Sequence, residues 1–527
     1  MQKQEILKAD VLIIGAGIAG SVAALELAED KEIRVLLVTK EKNIQESATF
    51  YAQGGIVGRG ENDTEEKLRK DILNAGAGLC NEQAVEIIAK EGPQLIERIL
   101  IKKANVKFNK NEKNKYDHTR EAAHSEKRIL YSGDNTGKEI ETKLIKAVKN
   151  RKNIKILADC TLVDLLTLPH HAVDSRKIYE NKKCAGCYLL NNKNGQIKIV
   201  LTKKTVLATG GIGQVYLRTT NPAGITGDGL AAANRAGAEV INAEYVQFHP
   251  TSLFHRDGNN FLISEAVRGE GGKLKNGKSE PFMKKYDKRG SLAPRDIVAR
   301  GIYEEILNGK NDFVYLDLAF CRKPNFIKKR FPNIYRTCLD FGIDITKEKI
   351  PVAPTAHYFC GGIRVDEFGR SSLENLFALG EVSCTGAHGA NRLASVSLLE
   401  GLVWAKRCAD CAMRELKNSP LLINEKEVKP WTYIGCENSD PALIKQDWMN
   451  VKSIMWNYVG IVRTSERLER AVADLNYLNH RVEKFYRYAQ LSQDLLELRN
   501  GIQTALIIAK AAKRNNESRG CHYISKY

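Results

Sequence analysis

The sequence predicts an α/β protein. A parallel sheet flanked by helices is assembled from two separated segments, with an α+β insert between them and a helical bundle at the end. Three observations carry this prediction. Near the start, four consecutive apolar residues, Val11 to Ile14, run into Gly15-Ala16-Gly17-Ile18-Ala19-Gly20 and then a helical pattern over Ser21 to Glu29. A buried strand, G-x-G-x-x-G and a helix, in that order, form a dinucleotide fingerprint in its required setting. Far downstream, strand-and-glycine patterning returns at Asn375-Leu-Phe-Ala-Leu-Gly380-Glu381, and a helix is expected over residues 391 to 414. From about residue 440, apolar residues recur at helical spacing, as at Ile454, Tyr458, Ile461, Leu468, Val472 and Leu475, the pattern of a small bundle.

In the fingerprint, Gly15 permits the tight turn, Gly17 lets a pyrophosphate approach the backbone, and Gly20 lets the helix pack on the strand. The helix start turns its free N–H groups toward the phosphates. Ile33 to Thr39 is a second parallel strand. A site for NAD usually ends this strand with Asp or Glu for the ribose, whereas this chain offers Thr39 and Lys40. Lys40 is thereby expected to meet adenosine or phosphate as a point charge. The small, polar loop 47–55 can lie along a cofactor. Residues 64–104 suggest two helices, 138–149 a helix, and 154–166 a strand region. A hairpin is expected over 185–203 around Asn194-Gly195, and a further buried strand over 205–209 ends in glycines. Gly227-Asp228-Gly229 opens a helix over 230–236.

The chain has 527 residues, enough for about two to four domains. With 43% hydrophobic and 27% charged residues it has the composition of a packed globular protein. No apolar run has the length of a membrane helix; the nearest, residues 11–28, is broken by three glycines and Glu26. A cytoplasmic location is expected. The net charge of +18 is spread along the chain without a nucleic-acid motif, which argues against nucleic-acid binding as the main function. Twelve cysteines without an export signal imply free thiols. The C-x-x-C pairs Cys184/Cys187 and Cys408/Cys411 read as small buried thiols, and no metal is expected.

Nine motifs occur in order: GAGIAG at 15–20, ATFYAQGG at 48–55, TGDG at 226–229, QFHPT at 247–251, RGEGG at 268–272, PRD at 294–296, HYFCGG at 357–362, NLFALGE at 375–381 and HGANRLASVSLLEG at 388–401. In them the chain resembles the flavoprotein family of succinate dehydrogenase, fumarate reductase and L-aspartate oxidase over nearly its whole length. The resemblance implies a Rossmann-like FAD-binding domain in two segments, 1–242 and 355–420, an inserted capping domain at 243–354 and a C-terminal helical domain at 421–527. It implies that FAD is held by Gly15, Ala16, Gly17, Ile18, Ala19, Gly20, Lys40, Ala48, Thr49, Phe50, Tyr51, Ala52, Gln53, Gly54, Gly55, Asp228, Glu381, Ser397 and Leu398. Members that attach FAD covalently have a histidine where this chain has Ala48, so non-covalent FAD is expected.

The Thr119-Arg120-Glu121 segment and the C-terminal segments 458–463 and 517–522 are similar to the aspartate-oxidising branch of the family. That branch implies oxidation of L-aspartate to iminoaspartate, with O2 or fumarate as acceptor and a functional link to quinolinate synthase. The alternative within the family is a soluble fumarate reductase or the flavoprotein subunit of a respiratory complex. The residue chemistry agrees with an aspartate site, because two carboxylates and an ammonium call for two cationic clamps and one acidic group. Arg295 and Arg392 can hold carboxylates bidentately, with His249, His357 and Ser264 as further donors. Glu121 supplies the negative charge for the ammonium, or else pairs with Arg120 or Arg128 on a solvated loop. Glu265 orients its neighbours. By resemblance Arg295 transfers the proton, an unusual task for a group that ordinarily stays protonated. The chain departs from the family at Ser264, often Thr, and at Val396, usually Asn, where the loss of a polar group near the flavin is expected to alter redox behaviour.

Overall fold

A computed structural model of the chain describes residues 4–255, 260–417, 419–433, 435 and 437–525. Its centre is a seven-stranded sheet in the order 154–157, 35–38, 6–14, 197–207, 184–191, 160–167, with Leu376–Ala378 also paired to the strand Ile197–Leu207. The first four strands in this order and Leu376–Ala378 run parallel; the last two are antiparallel additions. The expected hairpin strand and the expected buried strand at 205–209 are one element. Ile197–Leu201 pairs with the hairpin partner, and Thr205–Leu207 continues beside Leu376–Ala378.

Helices cover both faces, which is why Val11–Ile14 of the first strand and Val35–Val38 are unbroken apolar runs rather than alternations. One face packs Ile18–Leu27, Glu82–Leu95, Thr136–Lys149 and Val396–Leu416 into a single apolar cluster. The other packs Asp228–Ala236 together with the three C-terminal helices Pro441–Tyr458, Ser465–Tyr488 and Gln493–Arg514. The insert has its own core around Phe282, Phe331 and Ile334. Its four-stranded antiparallel sheet runs in the order 246–253, 350–359, 314–317, 273–275.

The first helix begins at Ile18 rather than Ser21, with Gly17 in extended conformation as its cap, and all ten of its residues are buried. The helix expected from 391 begins only at Val396, because Ser395 takes a left-handed conformation with φ 59°. At Gly15, φ is 110°, and a Cβ there would lie 2.1 Å from the Ala208 carbonyl oxygen; a Cβ at Gly20 would lie 1.9 Å from the Gly15 carbonyl oxygen. Any side chain at position 20 therefore drives the helix off the turn. The Gly20→Val protein is expected to be recovered without flavin or not in soluble form, as read from its visible absorbance after purification.

Among the described residues no helix is long and apolar enough to cross a membrane, and no group of three or more His, Cys, Asp or Glu is placed to hold a metal. Cys184 and Cys187 lie on a strand, and Cys408 and Cys411 on a helix, all four buried.

Candidate active site

One continuous cavity runs from the Gly15–Ala19 turn, past Thr39, Lys40 and the loop 46–55, to a cluster of Glu121, His249, Ser264, Glu265, Arg295, His357 and Arg392. Its lining also includes Asp228, Glu381, Ser397 and Leu398. Every candidate substrate residue and nearly every candidate cofactor residue thus faces the same space, although they come from the seven-stranded sheet, the four-stranded sheet and the loops and helices around them.

The long end suits a dinucleotide. The Thr49 hydroxyl accepts from the Ile18 N–H at 3.0 Å, which ties the loop to the helix start. Glu381 accepts from the Phe359 N–H at 2.9 Å, and burial raises its carboxyl to about 7. Near neutrality such a group can donate to, as well as accept from, a polyhydroxyl chain.

Three cofactor candidates are placed differently from the rest. Gly20 lies behind the turn, serving helix packing rather than the cavity. Phe50 is outside the lining and stacks edge-on against Tyr51. Lys40 lines the cavity, but its ammonium is already neutralised. It sits 2.6 Å from Asp228 and 2.9 Å from Glu497 and donates to Thr226 at 2.8 Å. Asp228 also accepts from Asn500 at 2.9 Å, so the last long helix is pinned to the cavity floor. Val396 packs in the apolar cluster, between Ser395 and Ser397, which both line the cavity.

At the short end, His249 and His357 sit on neighbouring strands, their rings 5.0 Å apart. Burial, with Arg295 nearby, holds both imidazoles well below their usual range, so they are neutral donors. His357 Nδ1 is 2.7 Å from the Thr220 hydroxyl. Ser264 caps the short helix Glu265–Gly269, accepting from the Ala266 N–H at 3.3 Å.

Arg295 is less free than its sequence suggests. Its Nε donates to Glu265 at 2.5 Å and its Nη1 to Gln247 at 2.9 Å, so two of its donors are already engaged within the protein. Burial raises the Glu265 carboxyl, but Arg295 and Arg268 outweigh it and keep the group below its usual range. Arg392 donates through Nη1 to Ser397 at 2.8 Å and forms no ion pair among the described residues.

Glu121 is buried, and its carboxylate accepts from the Ser395 hydroxyl at 2.6 Å. Pairing with Arg120 or Arg128 on a solvated loop is excluded. Arg128 is itself buried, donating to Asp63 at 2.9 and 2.8 Å and pairing with Asp71. That anchor, with a hydrogen-bonding contact of 3.0 Å between His124 Nε2 and the Ala394 carbonyl, presses the Glu121 segment against residues 394–395. A Cβ at Gly54 would lie 2.3 Å from Glu121, so this glycine makes room for the acid. Burial first, and then Glu265, raise the Glu121 carboxyl; Ser395, Arg295 and Arg392 oppose this.

Sequence reasoning did not single out Gln247, Arg268, Ser395 or Tyr358. Gln247 donates to the Arg392 carbonyl at 2.8 Å while accepting from Arg295, so it couples the two arginines. Its place two residues before His249, and that of Tyr358 directly after His357, were the available signals.

A doubly wound sheet whose cavity joins a dinucleotide cradle to an arginine–histidine cluster defines an FAD-dependent oxidoreductase. Residues 10–398 match the FAD binding domain family, and residues 449–527 match the family described as fumarate reductase flavoprotein C-term. The chain is 43% identical to the L-aspartate oxidase of Yersinia pestis over 100% of its own length and 97% of that protein's. It is 39% identical to the chloroplastic L-aspartate oxidase of Arabidopsis thaliana, over 98% and 81%. Among solved structures, a quinol fumarate reductase from E. coli superposes with a TM-score of 0.88 at 27% identity, over 99% of this chain and 92% of that one. The chain belongs to the L-aspartate oxidase family, and its cofactor is FAD.

Proposed function

We propose that this chain oxidises L-aspartate to iminoaspartate, holding FAD without a covalent bond. The observation that carries the reading is the placement of Glu121. A buried carboxylate with no ion-pair partner among the described residues faces the same cavity as Arg295 and Arg392. One acid without an ion-pair partner, set among cations, matches a substrate with two carboxylates and one ammonium. Arg392, His249 and His357 bind the carboxylates, and Ser264 adds a hydroxyl donor. Glu121 takes the ammonium and, through Ser395, is held in one orientation.

When bound, FAD supplies the hydride acceptor. Arg295 is the residue assigned to proton transfer and Glu265 holds its guanidinium; on the far side of Glu265, Arg268 Nη2 stands 3.6 Å away and has no hydrogen-bond partner. Reoxidation by O2 gives H2O2, and reoxidation by fumarate gives succinate in the same carboxylate clamp. The iminoaspartate feeds quinolinate synthase as the first step of de novo NAD synthesis.

Ala48 carries no nucleophile, which supports non-covalent FAD; acid precipitation is expected to release all flavin into the supernatant. Anaerobic stopped-flow mixing with L-aspartate tests the activity, and rapid bleaching of the flavin is expected. Bleaching by succinate alone would sink the proposal.

A pH dependence follows from the raised Glu121 carboxyl. Protonated Glu121 cannot neutralise an ammonium, so the KM for L-aspartate should rise as pH falls through that raised pKa. Fumarate, which has no amino group, should not weaken over the same interval. Initial rates across about pH 5 to 8 check this, and Glu121→Gln should flatten the L-aspartate profile.

A further inference from the structure

Beside the carboxylate clamp lies a buried polar cluster that the reaction itself does not use. The Tyr358 ring stands 4.2 Å from the Arg392 guanidinium, measured to the ring centroid. The Tyr358 hydroxyl donates to Glu400 Oε2 at 3.1 Å, the Thr385 hydroxyl donates to Oε1 at 2.6 Å, and His388 Nε2 lies 2.9 Å from Oε2. Glu400, His388, Tyr358 and Arg392 are all buried. Burial pushes the Glu400 carboxyl up, but His388 and the two hydroxyls outweigh it and keep the group ionised.

Arg392 is the counterpart. Among the described residues it has no carboxylate partner, and its Nε is buried without a hydrogen-bond partner. A guanidinium in a dry site needs compensation. A neighbouring carboxylate would provide it and at the same time occupy the edge a substrate must bind. A ring face stabilises the cation without competing for its N–H groups. A tyrosine hydroxyl that donates to an ionised carboxylate enriches its ring in electrons, which strengthens that contact.

We propose that Tyr358 and Glu400 are positioning residues for Arg392: the ring steadies the guanidinium, and Glu400, held in turn by Thr385 and His388, anchors the Tyr358 hydroxyl one layer further back, leaving Arg392 open for a substrate carboxylate. This rests on the reading that Arg392 clamps a dicarboxylate, and it deepens that reading by naming what holds the clamp in place and open.

The test is fumarate binding to the flavin-loaded protein, followed by perturbation of the flavin spectrum. Tyr358→Phe, which keeps the ring and cuts the link to Glu400, should weaken fumarate about ten-fold, and Glu400→Gln at least as much. Flavin content and melting temperature of Tyr358→Phe should stay at wild-type values. In an Arg392→Lys background, Tyr358→Phe should change fumarate affinity by less than about two-fold, because its effect runs through the guanidinium. Fumarate affinity within about two-fold of wild type in Tyr358→Phe, or the same loss in both backgrounds, would overturn the proposal. If Glu400→Gln does not hold flavin, Tyr358→Phe decides alone. Because fumarate has no amino group, failure of L-aspartate to bleach the wild-type flavin would defeat the aspartate reading and leave this inference standing.

Discussion

Replacing Arg295 by glutamine is expected to slow flavin reduction by L-aspartate by about three orders of magnitude. Two losses combine. The group at the proton-transfer position disappears, and Glu265 loses the donor that holds it at 2.5 Å. Glu265 then remains buried with only Arg268, 3.6 Å away, as a cationic neighbour. A buried carboxylate stripped of its partner perturbs everything around it, including Glu121, whose carboxyl Glu265 already raises. Flavin binding should survive, because Arg295 sits at the short end of the cavity and the dinucleotide cradle is built from other residues. Stopped-flow reduction of the flavin-loaded variant is the measurement. A rate within ten-fold of wild type would remove Arg295 from proton transfer and leave it a role in charge balance.

The second large effect is selective. Glu121→Gln is expected to raise the dissociation constant for L-aspartate by about ten- to hundred-fold, the worth of one charge-assisted hydrogen bond in a dry site. Fumarate and succinate carry no ammonium, so their affinity should hold or improve once an anion is gone from beside their carboxylates. The glutamine keeps the shape and can still accept from the Ser395 hydroxyl, so the segment should stay in place. Titrating the flavin spectrum with each ligand gives the answer. An equal loss for all three ligands would make Glu121 a structural residue and return the choice of substrate to open question.

These two residues mark how far the sequence could be read. The strand, glycine turn and helix at 11–28 were legible because a parallel strand buried on both faces and a close helix–strand approach leave a local signature: an unbroken apolar run and glycines at set spacing. The three C-terminal helices were legible for a similar reason, their apolar spacing being local. The unity of Ile197–Leu207 was not, since pairing first with one partner and then with another leaves no mark on a strand's own residues. Nor was the start of the helix at Val396, which depends on a left-handed serine whose side chain is held by an acid 274 positions away.

Lys40 shows the same limit at the site. Its position after the second strand was plain, yet its charge is taken by Asp228 and by Glu497, which arrives from the far end of the chain. Arg295 was visible as a carboxylate binder, but the partners that engage its donors, Glu265 and Gln247, come from other elements.

The sequence by itself determined the class of fold, the dinucleotide cradle and the kinds of groups needed for a dicarboxylate with an amino group, because those follow from local patterning and from motif chemistry. Only the tertiary structure decided which charges are already spent and which remain free for a ligand. Arg128, Lys40 and one edge of Arg295 are neutralised within the protein, while Arg392 and Glu121 face the cavity without ion-pair partners among the described residues. Whether a buried charge is spent depends on partners a few ångströms away in space and hundreds of residues away in the chain, and no local spacing carries that information.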